Sequence, residues 1–378
     1  MTAAVFSAFD AHMMDVALMM ARRGNGTTAP NPSVGAVIAD EATGELIARA
    51  VTRPGGRPHA ETEAIARAGT RAQGATLYVT LEPCAHHGKT PPCADAVIAA
   101  GLKRVVIGIE DPDPRTAGQG TARLRAAGVD VATGLRGAEA RWVTLGHILR
   151  VTEQRPFVQL KMALGQDGAV PRGKDGQAVF VTGPEARAFA HVLRAEADAI
   201  LIGGATARDD DPDLTCRLPG LASRSPIRVV MTETLDVPMG LKLVRTAHTV
   251  PTWVLTGSAD AGRVRALADQ GVRVLTIGDG AARPSVRAAL AELAGQGITR
   301  LLVEGGPSVW RAFAAAGLAD EVVVFAAGAA RDGGMNPAAL AARYAPGLDL
   351  ALTSERRAGA DRLAMFRVRP AAVPRRAE

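Results

Sequence analysis

From Leu81 to Cys93 the chain reads LEPCAHHGKTPPC, and a His-Ala-Glu triplet, His59 to Glu61, precedes it. Two of the three cysteines, Cys84 and Cys93, lie in that stretch, and His59 stands one strand and one turn upstream. Two thiolates and an imidazole form a donor set that favours zinc over harder ions. A catalytic zinc holds three such ligands and keeps its fourth tetrahedral position for water, whose pKa falls toward neutrality. Any fold of this chain must therefore bring a strand end and two helix starts to one point. The apolar runs agree with that demand. Ala75 to Thr80 reads as a strand delivering Cys84, Ala60 to Ala68 as a helix beginning beside His59, and Ala94 to Ala100 as a helix opened by Cys93.

Glu61 is close enough to His59 to reach water or substrate without being a ligand, so it can carry a proton from water to a leaving group. At the first turn of its helix the dipole favours the charged carboxylate. The same argument predicts a stabilised thiolate on Cys93. His-x-Glu with Pro-Cys-x-x-Cys is the signature of zinc deaminases. Here eight residues, Ala85 to Pro92, separate the cysteines instead of two. Gly88, Pro91 and Pro92 give this spacer turn chemistry, and its extra residues are available to a substrate. The competing arrangements are a closed zinc knuckle with His86 or His87 as fourth ligand, or two buried thiols beside a surface histidine.

A length of 378 residues exceeds one ordinary domain and predicts two, of about 150 and 220 residues. The first spans 1–147, a connection covers 148–155, the second spans 156–370, and 371–378 is a disordered tail. Hydrophobic residues make up 47% and aromatics 3%, which suits cores of Ala, Val, Leu and Ile between alternating strands and helices. The net charge of +6 is mild, and no basic block precedes Arg375 and Arg376. Nucleic-acid binding is not indicated, although zinc deaminases also act on flipped bases. A modest positive field suits a phosphorylated small molecule. Three cysteines, two of them assigned to metal, indicate a reducing cytoplasm, and neither a signal peptide nor a membrane span is visible.

Further candidates sit at strand ends. Asn31, between Pro30 and Pro32, precedes a strand over Val34 to Ile38; its amide either reads the edge of a pyrimidine or caps its own turn. The strand Arg104 to Ile109 ends in EDPDPRTAGQG, where open sheets bind ligands. The second half alternates strands and helices from Phe157 to Ala326, an open doubly wound α/β pattern with a mostly parallel sheet. No G-x-G-x-x-G follows its first strand. LLVEGGPSVWRAF instead places Gly305-Gly306 between a strand and a helix, either as a pyrophosphate cradle or as a tight turn. Gly203-Gly204, Thr206 and ARDDDPDLTCR form a second such loop.

Together these segments resemble the bifunctional deaminase/reductase family of riboflavin biosynthesis over nearly the whole chain. APNPSVGAVI, PHAE, TLEPCAHHGKTPPC and the DPDP loop carry the resemblance in the first half; RPFVQLKMAL, VTGPEAR, ADAILIGGATARDDDPDLTCR and VEGGPSVW carry it in the second. The resemblance implies a cytidine-deaminase-like α/β/α domain followed by a dihydrofolate-reductase-like domain that uses NADPH. His59, Cys84 and Cys93 would hold Zn2+, Glu61 would shuttle protons, and Asn31, Lys89 and Asp111 would meet a phosphorylated pyrimidine. Thr206, Asp210, Gly305 and Gly306 fall at cofactor positions. Arg194, Leu214, Arg217 and Glu304 fall at positions for the ribosyl phosphate. A cytoplasmic homo-oligomer is expected. Four positions depart from the family pattern: Gly165, Ala178 and Phe180 near the nicotinamide, and Asp113 in place of the asparagine of DPNP. They keep a second reading open, a deaminase with a decayed or repurposed reductase-like domain.

Overall fold

The computed structural model describes residues 6–113, 116–171, 181–278, 284–328 and 336–369. Ala178, Phe180 and the tail 371–378 lie outside the described residues. The chain divides into two compact units with the boundary between Arg155 and Pro156, Gly297–Thr299 being grouped with the first.

In the first unit five strands, β1 (Gly35–Asp40), β2 (Glu45–Val51), β3 (Thr76–Leu81), β4 (Arg104–Ile109) and β5 (Asp130–Thr133), form a sheet ordered β2-β1-β3-β4-β5. β1 runs antiparallel to β2 and β3, whereas β3, β4 and β5 are parallel. Side chains alternate across the sheet. Ala36, Ile38, Leu77, Val79, Val105 and Ile107 face a core with Ala60, Ala64, Ala94, Val97 and Leu124. Val37, Ala39, Tyr78 and Val106 face another with Met13, Met14, Ala17 and Leu18. The Met-rich stripe of the first helix, Ala8–Gly24, is thus core. This gives the helix–sheet–helix layering of the expected deaminase-like domain. Much of the segment 148–155, read as a connection, is helical, since Leu145–Thr152 forms a helix. Its apolar positions Ile148 and Leu149 are buried, which makes it part of the packed unit.

The second unit holds a nine-stranded sheet built from β6 (Phe157–Leu164), β7 (Ala199–Gly203), β8 (Ile227–Thr232), β9 (Thr252–Thr256), β10 (Arg273–Thr276), β11 (Arg300–Val303), β12 (Glu321–Ala326), β13 (Leu350–Ala358) and β14 (Asp361–Val368). The order is β10-β9-β8-β7-β11-β6-β12-β14-β13. Pairing is parallel from β10 to β12 and antiparallel for β12–β14 and β14–β13. The closing hairpin was missing from the sequence reading because β13 is largely exposed along SERR and lacks the alternation of a half-buried strand. The chain enters at β6, winds outward through β7 to β10, then returns to insert β11 between β7 and β6. That reversal is the switch point where such sheets bind ligands. It also makes neighbours of the two glycine pairs, since Val303 pairs with Leu201.

Candidate functional site

β3 ends at Leu81 and passes the chain to Cys84; His59 is the N-cap of the helix Ala60–Ala68, and Cys93 is the first residue of the helix Cys93–Ala99. The imidazole Nδ1 lies 3.2 Å from Cys93 Sγ and 3.8 Å from Cys84 Sγ, and all three donor atoms fall within 4.8 Å of one another. Such a spacing lets one small ion touch all three, and a set of two sulfurs and one nitrogen suits zinc. The backbone N–H of Cys93 donates to Cys84 Sγ at 3.3 Å. Hydrogen bonding from Cys93, then from His59, holds the Cys84 thiol far below its ordinary value. The helix start thus stabilises the thiolate of its neighbour. The Cys84 thiolate in turn raises His59 against the effect of burial.

Glu61 is 3% exposed, and its Oε2 has no hydrogen-bond partner among the described residues. Burial raises its pKa, with His59 pulling the other way and Cys84 adding to the rise. A carboxyl in this state is suited to taking and returning a proton.

Asn31 donates one amide N–H to the Gly56 carbonyl at 2.8 Å, which fixes the plane of its side chain. The next residue, Arg57, donates to Thr90 Oγ1 at 2.5 Å and so joins this loop to the cysteine spacer. Lys89 is exposed on that spacer. Asp111, beyond β4, accepts from the Asp113 N–H at 2.9 Å and lies 3.4 Å from His147 Nε2. Asp113 is itself buried, at 5% exposure.

In the second unit Arg194, Thr206, Asp210, Leu214, Arg217 and Glu304 line one cavity of about 760 Å3. Arg194 grips Glu304 through two parallel hydrogen bonds, Nε to Oε1 at 2.8 Å and Nη2 to Oε2 at 2.9 Å. Its Nη1 donates to the Thr215 carbonyl at 3.0 Å. Lys161 Nζ reaches Glu304 Oε2 at 3.5 Å. Burial alone would raise Glu304, yet Arg194 and Lys161 outweigh it and hold the carboxyl down at about 2. Thr206 and Asp210 stand on a short helix, Gly204–Asp210, where the sequence reading had a loop. Alanines at 205 and 207 favour the helix, and Asp211, in left-handed backbone at φ 36 before Pro212, ends it. Leu214 is also left-handed, at φ 53, with its side chain buried.

Gly305 and Gly306 lie outside that cavity's lining and precede the helix Pro307–Ala315. A second cavity of about 270 Å3 is lined by Gly203, Gly204, Ser308 and Val309 among others. A Cβ on Gly305 would lie 2.8 Å from Val309 Cβ, and one on Gly203 would lie 3.0 Å from Val309 Cγ2. The glycines let both turns pack closely on Val309, at the start of a helix whose positive end suits a pyrophosphate.

Sequence reasoning missed Glu82, Lys161 and His191. The signals were present for the first two: Glu82 directly follows an apolar strand, and Lys161 is the one charge within FVQLKMAL. His191 carried none, because its place in the large cavity depends on the fold.

Comparison with known proteins matches both units. A model of the cytidine and deoxycytidylate deaminase zinc-binding region matches residues 7–109, and a RibD C-terminal domain model matches 156–330. Riboflavin biosynthesis protein RibD of Aquifex aeolicus is 40% identical over 318 residues, 84% of this chain and 86% of that protein. The Escherichia coli protein of the same name is 38% identical over 329 residues, 84% and 87%. Among solved structures, Acinetobacter baumannii RibD superposes with TM-score 0.80 at 31% identity, covering 96% of this chain and 99% of that one. A Thermotoga maritima diaminohydroxyphosphoribosylaminopyrimidine deaminase/5-amino-6-(5-phosphoribosylamino)uracil reductase gives 0.78 at 31%, covering 95% and 99%. The chain therefore belongs to the RibD family, the bifunctional zinc-dependent deaminases and NADPH-dependent reductases of riboflavin biosynthesis.

Proposed function

We propose that the first unit, residues 1–155, hydrolytically deaminates 2,5-diamino-6-(5-phosphoribosylamino)pyrimidin-4-one, and that the second reduces the ribosyl group of the resulting 5-amino-6-(5-phosphoribosylamino)uracil to ribityl. The observation that carries the reading is the His59, Cys84, Cys93 trio beside a buried carboxyl with an unpartnered oxygen, Glu61 Oε2.

His59, Cys84 and Cys93 would hold the zinc, which when bound lowers the pKa of water at its open position. Glu61 takes the proton that this water gives up and delivers it to the amine nitrogen, which leaves as ammonia. Asn31, Asp111 and Lys89 orient the pyrimidine and its phosphate. In the second unit Gly305 and Gly306 would receive the pyrophosphate of NADPH, and Thr206 and Asp210 would contact the cofactor from the large cavity; the cofactor supplies the hydride. Arg194 and Arg217 meet the ribosyl phosphate. Glu304 keeps Arg194 in a fixed plane, so the guanidinium is oriented before substrate arrives. Three free cysteines support a cytoplasmic setting, and among the described residues no helix is long and apolar enough to cross a membrane.

The test is a coupled assay on purified protein, following ammonia release and NADPH absorbance together. Glu61→Gln should keep zinc and lose ammonia release by roughly 10²- to 10⁴-fold, the usual range for a proton shuttle, while still oxidising NADPH when given the uracil. Undiminished ammonia release from that variant refutes the assignment.

A further inference from the structure

We propose that Glu82 is a positioning residue for deamination, whose carboxylate sets the place of the Asp111 loop against the metal ligands. The proposal rests on reading the first unit as the deaminase and on Asp111 facing substrate.

Glu82 follows β3, whose six residues are all buried, and is itself 3% exposed. A carboxylate so placed needs partners for its oxygens. Its recorded hydrogen bonds come from backbone amides: Oε1 accepts from Thr121 N at 2.8 Å, and Oε2 from Gly118 N at 3.0 Å and Asp111 N at 3.2 Å. The three amides belong to one segment. Asp111 opens it, and Gly118 and Thr121 lie at its end, where the helix Gln119–Ala126 begins. Gly118 is that helix's N-cap and has no side chain to cap with. Glu82 supplies the missing acceptor from another element, with a negative charge at the positive end of the helix.

Two further contacts press the same segment onto the stretch carrying Cys84. A Cβ at Gly120 would lie 1.9 Å from the Pro83 carbonyl oxygen, so the backbones meet there with no room for a side chain. Thr116 Oγ1 lies 3.3 Å from His86 Nδ1. Glu82 thus ties Asp111 to a point two residues from a metal ligand, through hydrogen bonds strengthened by its charge. A rigid link of this kind holds a substrate-orienting group in register with the reacting centre.

Glu82→Gln keeps the shape but turns an amide NH2 toward backbone N–H donors. In the full-length protein this variant should keep wild-type zinc content and wild-type NADPH oxidation with the uracil. Its KM for the diaminopyrimidinone should rise by about tenfold or more, with kcat for ammonia release within about threefold. Combined with Asp111→Asn, it should add little to the worse single variant, because both act on one contact. Gly120→Ala, which forces the segment off Pro83 with Glu82 intact, should show the same KM-selective defect. An unchanged KM, a fall in ammonia release that tracks zinc loss, or additive effects with Asp111→Asn would each overturn the proposal. A wild-type chain that releases no ammonia would instead sink the deaminase reading beneath it.

Discussion

Replacing Glu304 by Gln removes one negative charge from the Arg194, Lys161 and Glu304 cluster with little change in shape. The Glu304 side chain is 7% exposed, so solvent screens the cluster little. The gap between about 2 in the folded chain and the ordinary 4.5 corresponds to about 3 kcal/mol of stability. Because the folded value is the lower one, this contribution is complete above pH 4.5 and is lost as pH falls through 2. At pH 3 roughly half of it remains. The variant lacks this charge at every pH. At neutral pH it should therefore unfold about 3 kcal/mol more easily, which for a unit of this size lowers the melting temperature by about 6–12 °C. At pH 3 the difference should shrink to roughly half. Urea titrations at pH 7 and pH 3, followed by the fluorescence of buried Trp253 and Trp310 in the second unit, read both quantities. Ammonia release at pH 7 should stay at the wild-type rate. Equal stability at pH 7, or a difference of the same size at both pH values, would refute the reasoning.

Removing zinc with a chelator, or Cys84→Ser, should abolish ammonia release and leave NADPH oxidation with the uracil intact, as metal analysis beside the coupled assay would record. Arg228, 1% exposed, donates to the carbonyls of Asp213, Leu243, Thr246 and Val250 and to Thr246 Oγ1. Arg228→Met removes every one of these donors and should cost at least about 3 kcal/mol in thermal unfolding; NADPH oxidation should fall with it, since Asp213 borders the large cavity.

The metal site was legible because its donors lie close in sequence and their chemistry restricts them to few geometries. Its internal hydrogen bonding was not. Cys93 starts a helix, as read, but the N–H that this exposes points to Cys84 Sγ, and only the folded loop shows it. Gly305-Gly306 was legible as a strand-to-helix junction and Gly203-Gly204 as a loop, whereas their adjacency depends on β11 returning between β7 and β6, a pairing without local signature. Glu304 was reached through family resemblance alone. Its partners stand 110 and 143 residues away in sequence, and no periodicity links them. The closing hairpin escaped notice for the opposite reason: β13 is a polar edge strand, and such strands carry charge to discourage pairing with other chains.

The departures at Gly165 and around Ala178 left open a reductase domain that no longer works, and the geometry of the second unit argues against decay. Gly165–Gly168 closes as a turn on its own hydrogen bonds, with Gly168 N donating to the Gly165 carbonyl at 2.9 Å and Gly165 N to the Ala169 carbonyl at 2.8 Å. Tyr344 Oη adds a bond to the Gly168 carbonyl at 2.9 Å. The departure therefore removes a hydroxyl without disturbing the backbone that ends β6. The charged cluster speaks more strongly. A buried ion pair is often no more stabilising than apolar residues of the same volume, and breaking one is costly. A domain kept only as a scaffold has no reason to hold a lysine, an arginine and a glutamate together against a cavity of about 760 Å3. A domain that must grip a phosphorylated sugar does, because the carboxylate fixes the guanidinium plane that meets the ligand. The same logic runs through the first unit, where Glu61 and Glu82, both buried, each stand two residues from a metal ligand. In both halves a buried carboxylate stands just beyond the end of a strand, Glu82 after β3 and Glu304 after β11, where it orients other groups.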